Sequence, residues 1–288
     1  MSNTINAYFN LTKPTIMLLV VFTGATALVM EGSLLSDPLK FLLVVLAIYL
    51  TGGCANALNQ YFERDLDASM ARTRLRRPLP QHRITPRQAL LFSFVIGSAG
   101  VLIFAFWFNW VAAALSLATI LFYSLFYTLW LKPNTSQNIV IGGAAGAMAP
   151  VGAWAAATGQ MAIAPWLLFL IVFLWTPPHF WSLSIAYKED YIRTKLPMMP
   201  VVKGNPSTVR QMLAYSIILA AASLLLPLFG SSPYYLIAAV PLNLWFLYHS
   251  VRVLRDYTIP SVKKLFGVSI VYLFGIFGAV IVDALLIS

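Results

Sequence analysis

The side chains with the densest chemistry in this 288-residue sequence run from Asn56 to Arg77. The segment reads Asn56-Ala-Leu-Asn59-Gln-Tyr-Phe-Glu63-Arg-Asp65-Leu-Asp67 and continues to Arg72, Thr73, Arg76 and Arg77. On a helix turning about 100° per residue, Asn56, Asn59, Glu63 and Asp67 share an arc of about 80°. Two amides and two carboxylates on one stripe suit magnesium, which prefers oxygen ligands and takes one or two carboxylates plus the phosphates of its substrate. Arg72, Arg76 and Arg77 follow within a few turns and can clamp those phosphates, because a guanidinium matches phosphate bidentately. Off the stripe, Arg64, Asp65, Arg74 and Arg83 read as solvated charges.

A second group begins at Trp175-Thr-Pro177-Pro178-His179-Phe-Trp181 and runs through Tyr187-Lys188-Glu189-Asp190-Tyr191 to Lys195. His179, Tyr187 and Asp190 again fall within about 80° on a helix. The two prolines predict a kink or restart beside His179, and a broken helix carrying a histidine at membrane depth is expected to line a cavity. His179 is a candidate contact to an acceptor molecule, or a proton acceptor. His82 and His249 read as satisfied polar residues, and Cys54, the one cysteine, as a small core residue.

These groups must be held by membrane helices. The chain is 60% apolar and 10% charged, against about 25% charged in soluble domains. Nine apolar runs are long enough to span hydrocarbon: roughly 15–33, 40–61, 88–108, 110–130, 139–156, 163–187, 209–229, 234–251 and 266–286. The predicted fold is therefore an all-α, polytopic bundle of about nine transmembrane helices around a central cavity. No polar stretch is long enough for a second domain, so 1–288 reads as one transmembrane unit. Period-two alternation is absent, which excludes a barrel.

With nine spans, nearly every Lys and Arg in the connecting segments falls on one face, and Lys40 alone falls on the other. That places the N-terminus in the cytoplasm, the C-terminus outside, and the reactive segments on the cytoplasmic side. The net charge of +10 is accounted for by topology and needs no nucleic acid. About fourteen mildly polar residues precede the first apolar run, which reads as neither a cleavable signal nor a transit peptide; a bacterial inner membrane is expected. Trp107, Trp110, Trp154 and Trp166 lie near predicted outer ends, as interfacial anchors.

The pattern Asn59-x3-Glu63-x3-Asp67-x4-Arg72-Thr73-x2-Arg76 resembles the first acidic motif of the UbiA-type intramembrane prenyltransferases, which binds magnesium and an isoprenoid diphosphate. Glu63 stands where many members have aspartate, which keeps the charge and lengthens the arm. In the second region those enzymes commonly carry Asp-x3-Asp. Here Pro178-His179-Phe180, Tyr187-Lys188-Glu189-Asp190-Tyr191 and Pro197-Met-Met-Pro200-Val-Val202 resemble the heme O synthase branch specifically. Leu11-Thr12-Lys13-Pro14, Tyr127-Thr-x-x-Leu-Lys132 and Asn138-Ile-Val-Ile-Gly-Gly143 agree with that branch. In Gly146-Ala-Met-Ala-Pro150, Ala149 replaces an expected proline.

The resemblance implies farnesyl diphosphate as donor, the 2-vinyl group of heme b as acceptor and Mg2+ as cofactor. A downstream heme A synthase or terminal oxidase is the implied partner class. It further implies Glu63, Asp67 and Asp190 as metal ligands, and Arg72, Arg76, Lys132 and Lys195 on the diphosphate with Asn56 and Arg77. Asn59, His179 and Tyr187 join the acids as the catalytic set. The alternatives are prenylation of an aromatic quinone precursor, a transporter and a heme chaperone. Acids clustered at helix ends beside Arg-rich loops disfavour the transporter, whose ionisable residues belong near the midplane.

Overall fold

Proline and glycine set the ends of the helices. In the computed structural model, which describes residues 2–287, Pro14, Pro38 and Pro86 each open a long helix, at positions where a missing N–H costs nothing. Among the described residues nine helices have the length and apolarity to cross a membrane: α1 (Pro14–Glu31), α2 (Pro38–Phe62), α3 (Pro86–Phe108), α4 (Trp110–Asn134), α5 (Asn138–Thr158), α6 (Ile163–Ala186), α7 (Gly204–Leu228), α8 (Tyr235–Arg255) and α9 (Ile259–Ile287). A further helix, Ser2–Leu11, precedes α1.

Side-chain caps fix the tight turns. Thr85 and Gln88 form a capping box at the start of α3. Asn109, the single residue between α3 and α4, accepts from the Ala112 N–H at 2.9 Å and donates to the Ala155 and Ala156 carbonyls of α5. One side chain thus starts α4 and ties it to α5. Each helix packs on the next, and α9 returns to pack on α1; α1 also packs on α5, and α6 on α9. Where α2 and α3 meet, a methyl group at Gly100 would stand 2.7 Å from Thr51 Cγ2 and 3.0 Å from the Ala47 carbonyl oxygen. Small residues permit such backbone approach.

Three local expectations change. The helix over Ile163–Ala186 is unbroken through Pro177 and Pro178, and its packing on α5, α7 and α9 supports it on several sides. The break comes instead in α5 at Met148, just before Pro150. Helices α7 and α9 begin at Gly204 and Ile259, earlier than their apolar runs. Lys263 and Lys264 are therefore helical, because hydrogen bonding continues where hydrophobicity stops.

Candidate active site

Helix α2 ends where its chemistry begins. The Glu63 N–H donates to the Asn59 carbonyl at 3.0 Å, and the Asp67 N–H to the Glu63 carbonyl at 2.8 Å. The helical path therefore carries on into the short helix Arg64–Ser69. Asn56, Asn59, Glu63 and Asp67 are all buried, at 6%, 2%, 5% and 1% exposure. Buried carboxylates require partners, and here the partners come from three other segments.

Lys132, on α4, donates to Glu63 Oε1 at 2.5 Å. Arg77 returns from the loop to pair with Asp67, and its Nη1 stands 3.5 Å from Glu63 Oε2. Thr73 holds that loop down by donating to the Asp67 carbonyl at 2.8 Å. Lys13, between the first helix and α1, donates to Asn59 Oδ1 at 2.7 Å; its own backbone is left-handed, with φ 53°. Asn59 then donates to Thr128 Oγ1 at 3.1 Å, linking α2 to α4.

The charges act on one another. Burial pushes the Lys13 ammonium well below its ordinary value, and neighbouring Arg77 pushes the same way. Burial favours the neutral form of Glu63, yet Lys132 and Arg77 outweigh it and hold that carboxyl below its usual value. Burial raises Asp67 against the pull of Arg77, with the charge of Glu63 adding to the rise.

Beside this cluster opens a cavity of about 400 Å³ lined by Lys13, Asn59, Asp67, Arg72, Arg76, Arg77 and Lys132. Tyr123, Tyr127, Phe180, Tyr191 and Met198 form its less polar wall. Tyr123 and Tyr127 are stacked, with centroids 5.1 Å apart. Five basic side chains face two acids, an excess suited to a polyanion. The Arg72 Nε is buried with no hydrogen-bond partner, a donor left open for an acceptor. Glu63 Oε2 is likewise buried and accepts no hydrogen bond. Two carboxylates and an amide oxygen fit a hard divalent cation whose remaining positions go to phosphate and water.

Helix α4 presents its residues through a wider winding. Phe122–Leu131 is π-helical, and Thr128 Oγ1 donates to the Tyr123 carbonyl five residues back at 2.8 Å. Such segments recur at functional sites.

Several expected residues lie elsewhere. Asn56 donates to the Thr12 carbonyl at 3.1 Å and supports the turn before Lys13. Tyr187 and Asp190 line a separate depression with Lys188, Glu189 and Asn205. Tyr187 does touch the first group, since Arg72 stands 5.7 Å above its ring and Lys263 5.9 Å. Among the described residues no three acids, histidines or cysteines gather to hold a metal, and Asp190 lines that depression while Asp67 lines the cavity. A turn separates it: α6 ends at Ala186, and the short helix Lys188–Arg193 places Tyr191, not Asp190, in the cavity. Lys195 is exposed, with φ 55°, while its neighbour Leu196 lines the cavity. His179 packs against α9 through Ser269 and is not among the residues lining the cavity. Lys13, Tyr123 and Tyr191 join the site without a spacing signal, since each lies far in sequence from the acidic stripe.

Known proteins agree with this architecture. Residues 18–277 match the UbiA prenyltransferase family. A Mesorhizobium japonicum protein named protoheme IX farnesyltransferase 2 is 44% identical over 282 residues, 96% of this chain and 89% of the relative. A protoheme IX farnesyltransferase from Brucella ovis is 42% identical over 283 residues, 96% of this chain and 90% of its own length. Among solved structures, one described as digeranylgeranylglyceryl phosphate synthase superposes with TM-score 0.79 at 20% identity, covering 99% of both chains. A UbiA homolog from Archaeoglobus fulgidus bound to DMAPP and Mg2+ gives 0.63 at 15% identity, covering 95% of this chain and 99% of that one. With the family match spanning most of the helices and the two sequence relatives covering 96% of the chain, this protein belongs to the UbiA prenyltransferase family.

Proposed function

We propose that the protein transfers the farnesyl group of farnesyl diphosphate to the 2-vinyl group of heme b, with addition of water, giving heme O. The observation that carries this reading is 42–44% identity across 96% of the chain to relatives named protoheme IX farnesyltransferase. The cavity supplies matching chemistry. Lys13, Arg72, Arg76, Arg77 and Lys132 receive the diphosphate, and its charge favours the charged form of Lys13. These donors stabilise the negative charge that grows on the leaving oxygen as the farnesyl C1–O bond breaks. The stacked faces of Tyr123 and Tyr127 offer electron density to the allylic cation. The vinyl terminal carbon bonds to C1, water adds to the adjacent carbon, and a proton is released.

Glu63 and Asp67, with Asn59 beside them, are the residues that would hold magnesium, which when bound would supply Lewis acidity toward the diphosphate. Asp190 lines the neighbouring depression and is left outside this proposed set. The protein is multi-pass, in an inner membrane, with the N-terminus and the cavity facing the cytoplasm. The segregation of Lys and Arg supports this orientation.

The test is turnover in liposomes with heme b, farnesyl diphosphate and magnesium, the pigments being read by mass spectrometry. The expected product is heavier by a farnesyl group plus water and disappears on chelation. Diphosphate consumed with heme unmodified would point to another acceptor. If neither substrate changes in folded protein, the reading fails.

A further inference from the structure

The His179 imidazole is held between two aromatic rings. Trp175 stacks on one side at 4.1 Å between centroids and 19°, and Phe266 stacks at 4.4 Å and 25°. Only the ring edge is left for chemistry. On that edge Nδ1 stands 2.7 Å from Ser269 Oγ. A histidine–serine bond has two assignments, and which nitrogen carries the proton follows from what each partner can donate.

Ser269 decides between them. Its Oγ is also 2.6 Å from the Phe266 carbonyl oxygen, which has no hydrogen to give. The single hydroxyl hydrogen is therefore committed to that carbonyl. Nδ1 must donate to Ser269, and in the neutral ring the lone pair is then on Nε2. Ser269 is itself immobile: it is fully buried, and its carbonyl accepts from Trp175 Nε1 at 2.7 Å. The same contact keeps α6 and α9 in register around the imidazole.

We propose that Ser269 is a positioning residue that holds His179 as its Nδ1–H tautomer and reserves the Nε2 lone pair for the iron of the porphyrin acceptor. Hydrogen bonds from the far nitrogen of a ligating histidine set its tautomer and orientation in this way. The identity of iron as the electrophile rests on the heme reading above, whereas the tautomer does not. The two parts are therefore separately testable.

Nitrogen-15 NMR of the full-length, histidine-labelled protein in detergent reads the tautomer, with His179 assigned from the His179→Gln variant. Nδ1 protonated and Nε2 bare at neutral pH is the expected result; Nε2–H in the native protein overturns the proposal. Ser269→Ala should lose the fixed tautomer and weaken heme b binding about 10–100-fold, and Ser269→Thr, which keeps a hydroxyl, should restore both. Equal loss of binding in both variants with the tautomer unchanged would mean packing alone, and would overturn the positioning role. The Soret band and electron paramagnetic resonance of bound ferric heme read the second part. His179→Gln should abolish the nitrogen-ligand signature; an unchanged spectrum removes iron from the proposal and leaves the tautomer assignment standing.

Discussion

At the scale of single residues the site is a balance of buried charge. Glu63 and Asp67 repel one another and share Arg77, while Lys132 pairs directly with Glu63. The two acids are therefore unequal: Glu63 is held ionised by two cations, and burial competes more successfully at Asp67. Asp67→Ala is expected to abolish product while leaving heme binding largely intact, measured by pigment mass spectrometry and heme titration. Retained turnover would remove Asp67 from the metal site. Lys13→Met removes a charge-assisted hydrogen bond worth about 1.5–3 kcal/mol, so kcat/KM for the diphosphate should fall roughly 10–100-fold. Most of that loss should lie in KM if Lys13 binds ground state and transition state alike. Heme affinity should be unaltered.

Helix geometry decides where the aromatic wall stands. Tyr127 can lie flat against α5 only because residue 142 is glycine: a methyl group there would stand 2.3 Å from Tyr127 Cδ2 and 2.4 Å from Cε2. Gly142→Ala must push the ring toward the cavity. A displacement near 1 Å can cost on the order of 100-fold in rate, so kcat should fall by about that factor with helical content unchanged by circular dichroism. Thr128 joins the π-helical turn to Asn59, donating to the Tyr123 carbonyl and accepting from Asn59 Nδ2. Thr128→Val leaves a buried amide donor unpaired, and the expected destabilisation is about 1–3 kcal/mol in chemical or thermal unfolding. Activity should fall as well, since Asn59 also receives Lys13.

The whole molecule separates chemistry from anchoring along the helix axes. Acids and arginines gather at the Glu63 end of α2, while a different acid closes the opposite end of α9. Asp283, 4% exposed, accepts the Ser232 N–H at 2.6 Å and the Ser232 hydroxyl. It thereby clasps the α7–α8 connection to the last helix. Asp283→Ala should lower stability by about 1–3 kcal/mol through the unpaired N–H and leave the KM for farnesyl diphosphate unchanged, which an unfolding curve and steady-state kinetics would check together. Orientation is tested with cysteine labelling, since the native Cys54 is buried. Asp65→Cys, at an exposed position, should react in inside-out vesicles and resist an impermeant reagent applied from outside; the reverse pattern would invert the topology.

The sequence by itself determined the number of spans, because hydrocarbon demands long uninterrupted apolar helices, and it located the acidic stripe, because Asn56 to Asp67 lie on one continuous helical path. Arg72, Arg76 and Arg77 were legible for the same reason of local spacing. Only the tertiary structure decided which distant side chains complete the cavity. Lys13 arrives through a left-handed turn, Lys132 through a π-helical segment, and Tyr191 rather than Asp190 through the turn after α6. None of these follows from periodicity, since each depends on where one helix packs against another. The prolines of α6 make the same point in reverse: local propensity predicted a kink or restart, and with packing on α5, α7 and α9 the helix does not restart. His179 was visible as a residue type, but its partner Ser269 lies 90 positions away and is specified only by the contact between α6 and α9.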